Sequence, residues 1–121
     1  MRDIKIRAWD TSDKEKGGYM LGPYDLKDAI FSHNEVRRLS LMQYTGTKDK
    51  NGTEIYESDI VKVDEHSVSG GGKWTEQTCV VGFINGAFVI DSAKFHDTIY
   101  RMKSHLTVIG NIYQTPELIN P

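Results

Sequence analysis

At 121 residues the chain is long enough for one domain that buries about two-thirds of its extended-chain surface, and too short to need a second core. A hydrophobic share of 38% and a charged share of 26% describe an ordered domain, and a net charge of −2 argues against bulk phosphate binding as its main work. The single cysteine excludes an intramolecular disulfide, and no apolar run approaches the roughly 18 residues that a membrane-spanning helix requires.

The opening MRDIKIRAWD alternates charge and apolarity and has no continuous apolar stretch of the kind an export signal needs. With one thiol, set in the apolar run Thr78-Cys-Val-Val81, this predicts a soluble protein of a reducing, cytoplasmic compartment. Within the opening, Ile4, Ile6 and Ala8 fall on one face and Lys5, Arg7 and Trp9 on the other, which predicts a half-buried strand. The charged TSDKEKGG that follows predicts a loop, with Tyr19-Met-Leu21 folding back as a hairpin partner.

After Pro23 the spacing of Leu26, Ala29, Ile30 and His33, with Asp25 placed to cap, predicts one or two short helices before residue 40. Leu41, Met42 and Tyr44 then lead into a turn-rich stretch. Gly46 breaks the run, Asp49-Lys-Asn51-Gly52 is a strong turn because Asn and Gly tolerate positive φ, and Ile60-Val-Lys-Val-Asp64 is a strand. SVSGGGK at 67–73 predicts a flexible connection. The strongest local prediction is a two-residue hairpin at Asn85-Gly86, whose register pairs Phe83 with Phe88 and Val81 with Ile90 on a core-facing side. Residues 91–106 carry no clear pattern, 107–113 predict a last strand with Gly110 as a bulge or close backbone approach, and 114–121 read as a tail of a single 1–121 domain.

Catalytic and metal chemistry finds little support in these residues. The four histidines lack ligand spacing, and Asp49-Lys-Asn-Gly52 has its glycine fourth where a calcium loop needs it sixth. No phosphate-cradling glycine motif or nucleophile elbow occurs, and valine-flanked Cys79 predicts a buried structural thiol. Glu54, Glu57, Asp59, Asp64 and Glu65 read as a solvated acidic rim. The expectation is therefore a protein that is not an enzyme and needs no cofactor or metal. Cations and aromatics do intermix, at Lys5, Arg7 and Trp9 and again at Arg37, Arg38, Tyr44, Lys48 and Lys50, in the manner of small barrels that stack single-stranded bases.

The stretch Leu41-Met-Gln-Tyr-Thr-Gly-Thr-Lys-Asp-Lys-Asn-Gly-Thr-Glu-Ile-Tyr-Glu-Ser-Asp-Ile-Val61 resembles the YopX family, small proteins encoded by phages and prophages. Ile4-Lys-Ile-Arg-Ala-Trp-Asp10 is similar to that family's opening strand, and Val108-Ile-Gly-Asn-Ile-Tyr113 with Pro116-Glu-Leu118 to its ending. Ser58 stands where the family pattern has glycine, which raises the question of a positive φ at that corner. The resemblance implies a mainly β, β-rich α+β fold, an SH3-type small barrel with an added N-terminal hairpin and one or two short helices, in the cytoplasm of a bacterial host. It supplies no catalytic residues.

The favoured expectation is a non-enzymatic accessory module that binds a host or phage macromolecule through the 41–59 corner, with Tyr44, Lys48, Asp49, Tyr56 and Asp59 as contact residues. The alternative is a single-strand nucleic-acid binder using Arg7, Trp9, Tyr44 and Lys48. Self-association through the second apolar face of the 80–90 hairpin is a further expectation, and no membrane contact is expected.

Overall fold

A computed structural model describes residues 4–11, 17–25, 39–64, 66–67, 73–74, 76–93 and 95–119. Almost every element is a strand: β1 (Lys5–Asp10), β2 (Tyr19–Asp25), β3 (Leu39–Lys48), β4 (Glu54–Tyr56), β5 (Asp59–Val63), β6 (His66–Ser67), β7 (Lys73–Trp74), β8 (Gln77–Ile84), β9 (Ala87–Asp91), β10 (His96–Thr98) and β11 (Leu106–Asn111). Between β10 and β11 the chain makes one helical turn, α1 (Ile99–Met102), and a 3-10 turn (Lys103–His105), and a second 3-10 turn (Pro116–Leu118) follows β11. The helical turns expected between residues 25 and 39 fall on residues 26–38, outside those described, as does most of the connection expected at 67–73.

The strands form a four-stranded sheet in the order β2-β1-β3-β4, a five-stranded sheet in the order β10-β9-β8-β5-β11, and the small β6-β7 pair. Every pairing is antiparallel. The fold is mainly β, as expected, but no closed barrel is found among the described strands; the SH3-type expectation reaches no further than β content. The chain passes from one sheet to the other at Glu57-Ser58, where β4 ends and β5 begins.

β5 lies between β8 and β11, and four of its five residues are buried, with Lys62 half-buried. A strand covered on both faces needs a near-continuous apolar run, which Ile60-Val-Lys-Val63 supplies. Around it Ile55, Val61, Val63, Cys79, Val81, Ile90, Ile99, Met102 and Leu106 form the core. Each fully buried Ile or Leu there contributes about 2 kcal/mol of gross stabilisation. Cys79 is among these residues, and burial pushes its thiol up, away from the reactive thiolate.

The β8-β9 hairpin has the predicted register, with Val81 opposite Ile90 and Phe83 opposite Phe88. Asn85 and Gly86 both take positive φ, 52° and 83°, as a two-residue turn of matching twist requires. The expected core on that face is only half realised. Val81 and Ile90 are buried, but Phe83 is 53% exposed, because the hairpin runs past the edge of the interior and its two phenyl rings pack edge to face on each other, 4.9 Å apart. On the other face Val89 is buried while Ile84 stands 45% exposed.

The unpatterned region before β11 acquires its shape from packing. A four-residue helix is unstable alone. α1 persists because Ile99 and Met102 are sunk in the core while Tyr100 and Arg101 face outward.

Candidate functional site

The polar corner between β3 and β5 closes on itself. Asp49 follows β3 directly and is buried; its Oδ1 accepts the amides of Asn51 (2.8 Å) and Thr53 (2.9 Å), and its Oδ2 accepts the amide of Val108 (2.9 Å). The Lys50 amide donates to the Leu106 carbonyl at 3.0 Å. β11 is the outer strand of its sheet, so these bonds occupy backbone groups that an edge would otherwise leave open to pairing with another chain. Burial pushes the Asp49 carboxyl up, but the three amides outweigh it and hold the group below its ordinary value of 3.8. Gly52, expected as a turn residue, has a φ of 85° and shares its turn with exposed Asn51, whereas Gly46, expected to break the run, lies inside β3 with a φ of 83°, where the β3-β4 register shifts between Tyr44 and Lys48.

The next residues bolt the two sheets together. Asp59, 1% exposed, receives the Arg7 guanidinium at 2.5 Å on Oδ1 and the Tyr56 amide at 2.8 Å on Oδ2. Arg7 also lies 4.7 Å over the Tyr56 ring, which packs 5.5 Å from Tyr44, and Lys5 bridges to Glu54 at 2.7 Å above Tyr44. Burial pushes Asp59 up against the opposing pull of the Tyr56 amide and Arg7. Burial, helped by Glu54, lifts the Tyr56 phenol to about 12, so it stays protonated.

Ser58 makes the crossing with a φ of 70°, its amide bound to the Val81 carbonyl at 2.9 Å and its carbonyl to the Ile112 amide at 3.0 Å. A left-handed conformation costs a non-glycine residue roughly 1–2 kcal/mol. Ser58→Gly removes that strain and gives back part of it in unfolded-chain entropy, so a net gain of about 0.5 kcal/mol in urea unfolding is expected.

Gly110, at the register shift of β11, is required for closeness: a Cβ there would collide with the Thr115 hydroxyl, which is fixed by accepting the Asn111 amide at 3.0 Å and donating to the Asn111 carbonyl at 3.1 Å. Gly110→Ala should cost about 2 kcal/mol by overpacking, read as a fall in the urea midpoint at unchanged slope.

The residues expected as a contact surface are therefore mostly interior. Tyr44, Asp49, Tyr56 and Asp59 are 9%, 6%, 4% and 1% exposed, because their polar atoms find partners inside the fold. Arg7 is committed to Asp59, and Trp9 stacks on Tyr113 at 5.7 Å. Of the expected acidic rim only Asp59 is buried: Glu54, Glu57 and Asp64 are half-exposed, Glu54 pairing with Lys5, Glu57 accepting the Gln43 amide at 2.7 Å and Asp64 pairing with Lys50 at 2.6 Å, and Glu65 lies outside the described residues. Among the described residues no three His, Cys, Asp or Glu side chains gather as a metal site would need.

Lys48 alone of the expected contacts is exposed, and it opens onto a cleft that the sequence did not reveal. Tyr44, Gly46, Thr47, Lys48, Tyr100 and Lys103 line a depression of about 420 Å³. A second, of about 310 Å³, adjoins it through Thr47 and Tyr100 and is walled by Thr45, Ala87, Phe88, Thr98 and Ile99. Tyr100 divides the two and is 79% exposed, with the Lys103 ammonium 4.9 Å from its ring. Among the described residues no carboxylate lines either hollow. A third hollow, of about 390 Å³ between Thr78, Asp91 and Leu118, has no cation or aromatic ring in its wall among the described residues. Tyr100 and Lys103 are three apart in a region without periodicity, so only the burial of Ile99 and Met102 marks them as one exposed face.

The family model described as "YopX protein" matches residues 5–120. No curated protein matches this chain. Among solved structures, the chain is similar to protein EF1440 from Enterococcus faecalis, known from its crystal structure, at 25% identity and a TM-score of 0.56 over 96% of this chain and 97% of that one.

Proposed function

The chain belongs to the YopX family, and from that premise we propose that it is a non-enzymatic binding module, a phage or prophage accessory protein that engages a macromolecule of the bacterial cytoplasm through the Tyr100 cleft. One observation carries the reading. The residues of the family-like corner are consumed in holding the sheets, whereas Tyr100 stands 79% exposed over two joined hollows with Lys48 and Lys103 beside it. A large aromatic kept in water on a rigid scaffold, at the junction of two depressions, suits recognition better than folding. Reaction chemistry is a poorer fit, since among the described residues no nucleophile, base and orienting group converge on the cleft lining.

A photo-crosslinking residue placed at position 100 in cells, with the same residue at exposed Glu76 as control, tests this reading. A discrete adduct from position 100 and none from position 76 is expected; equal or absent adducts would end it.

A further inference from the structure

We infer that the occupant of the Tyr100 cleft is single-stranded nucleic acid, an inference that rests on the cleft being a binding surface at all. The charge pattern is the first ground. Described cations elsewhere are largely spoken for: Lys5 by Glu54, Arg7 by Asp59, Lys50 by Asp64, Lys62 by Glu76 and Arg101 by Asp97. Lys48 and Lys103 line the cleft, both exposed, and neither is ion-paired among the described residues. Glu54 lies across from Lys48 in the β3-β4 register, but its carboxylate is turned to Lys5 at 2.7 Å and to the Tyr56 hydroxyl at 3.4 Å. Two uncompensated ammonium groups beside one hollow complement a chain of phosphates.

The second ground is Tyr100. Its ring lines both hollows at 79% exposure, with the Lys103 ammonium 4.9 Å from its centroid, and a planar partner has access to it from solvent. Only an unstacked base offers a free π-face, because in a duplex both faces are already used by neighbouring bases. Thr47, shared by both hollows, and exposed Gly46 add no bulk or negative charge to the path between them. A protein partner would need a contact area of about 800 Å² on this side, with a buried apolar anchor at its centre. The cleft supplies small hollows rimmed by cations instead. The overall charge of −2 limits the affinity and makes it salt-sensitive, without removing the local complementarity.

The test is fluorescence anisotropy of a labelled oligothymidylate at about 50 mM salt, with a duplex of equal length beside it. Two phosphate contacts predict a loss of about sevenfold in affinity when salt rises to about 200 mM. Tyr100→Ala should weaken binding about tenfold, and Tyr100→Trp should restore it. Lys48→Ala with Lys103→Ala should flatten the salt dependence, whereas Arg101→Ala, which removes an exposed neighbouring cation outside the cleft lining, should change little. These positions are exposed, so folding is not at stake. No binding, equal binding of duplex, or equal losses from Arg101→Ala and from the lysine pair would overturn the inference. If the oligonucleotide fails while the crosslinker at position 100 captures a discrete protein, the nucleic-acid assignment falls and the binding-module reading stands; if both fail, both fall.

Discussion

Asp49→Ala is expected to lower stability by about 3 kcal/mol, measured by equilibrium urea unfolding. The carboxylate accepts three amides, and hydrogen bonds to a charged acceptor contribute roughly 1.5–3 kcal/mol each. Asn51 and Thr53 are exposed, so their amides can turn to water after the change, and the sum is discounted for that. The Val108 amide cannot do so as easily, since the turn that carries Asp49 covers it. Hydrogen exchange should therefore accelerate most at Val108, a selectivity that a general loosening of the fold would not produce.

The same group fixes a pH dependence. The folded-state pKa of Asp49 lies below its ordinary 3.8, so its stabilisation is complete above that value and is lost as pH falls through the folded pKa. The stability gap between the parent protein and Asp49→Asn should accordingly be widest near neutrality and narrow below about pH 3.8. A gap that stayed constant into acid would mean that the charge is not what the amides hold.

How far this architecture can be read from the sequence differs from element to element. The β8-β9 hairpin was legible to the residue because Asn85-Gly86 dictates both turn and register through backbone sterics alone. The depth at which its tip is buried was not, since Phe83 is left in water by the place where the neighbouring strands stop, a fact of the whole sheet. The corner shows the same divide. Its turns follow from local φ preferences, and the question raised by Ser58 is answered by a φ of 70°.

The burial of Asp49 and Asp59 follows from partners 59 and 52 residues away, Val108 and Arg7, which no local pattern announces. Polar side chains in a turn-rich stretch therefore read as a surface when they are the joinery between sheets. Tyr100 and Lys103 were missed for the converse reason: α1 is too short to carry a period, and its exposed face exists only because Ile99 and Met102 are drawn inward.

Arg7→Met should be the other severe change, costing about 3 kcal/mol. It keeps an apolar stem against Tyr56 but strands the Asp59 carboxylate, which is 1% exposed and would retain only the Tyr56 amide. Removing one member of a buried pair leaves the desolvation of the other uncompensated, and that penalty, more than the lost attraction, sets the size. Burial already pushes Asp59 above its ordinary 3.8 with Arg7 present, and without it the folded pKa must climb further. An acid with a raised folded pKa costs stability as pH rises through the interval between its unfolded and folded values, so the variant's deficit should be largest near neutrality and shrink on acidification. Arg7→Met combined with Asp59→Asn should recover part of the loss, because the amide oxygen still accepts from Tyr56 and carries no charge. A double-mutant cycle giving a coupling of about 2 kcal/mol or more is the expected result. Coupling near zero, or a deficit unchanged by pH, would mean that the sheets are held at this corner by the packing of Tyr44 on Tyr56 and not by the ion pair.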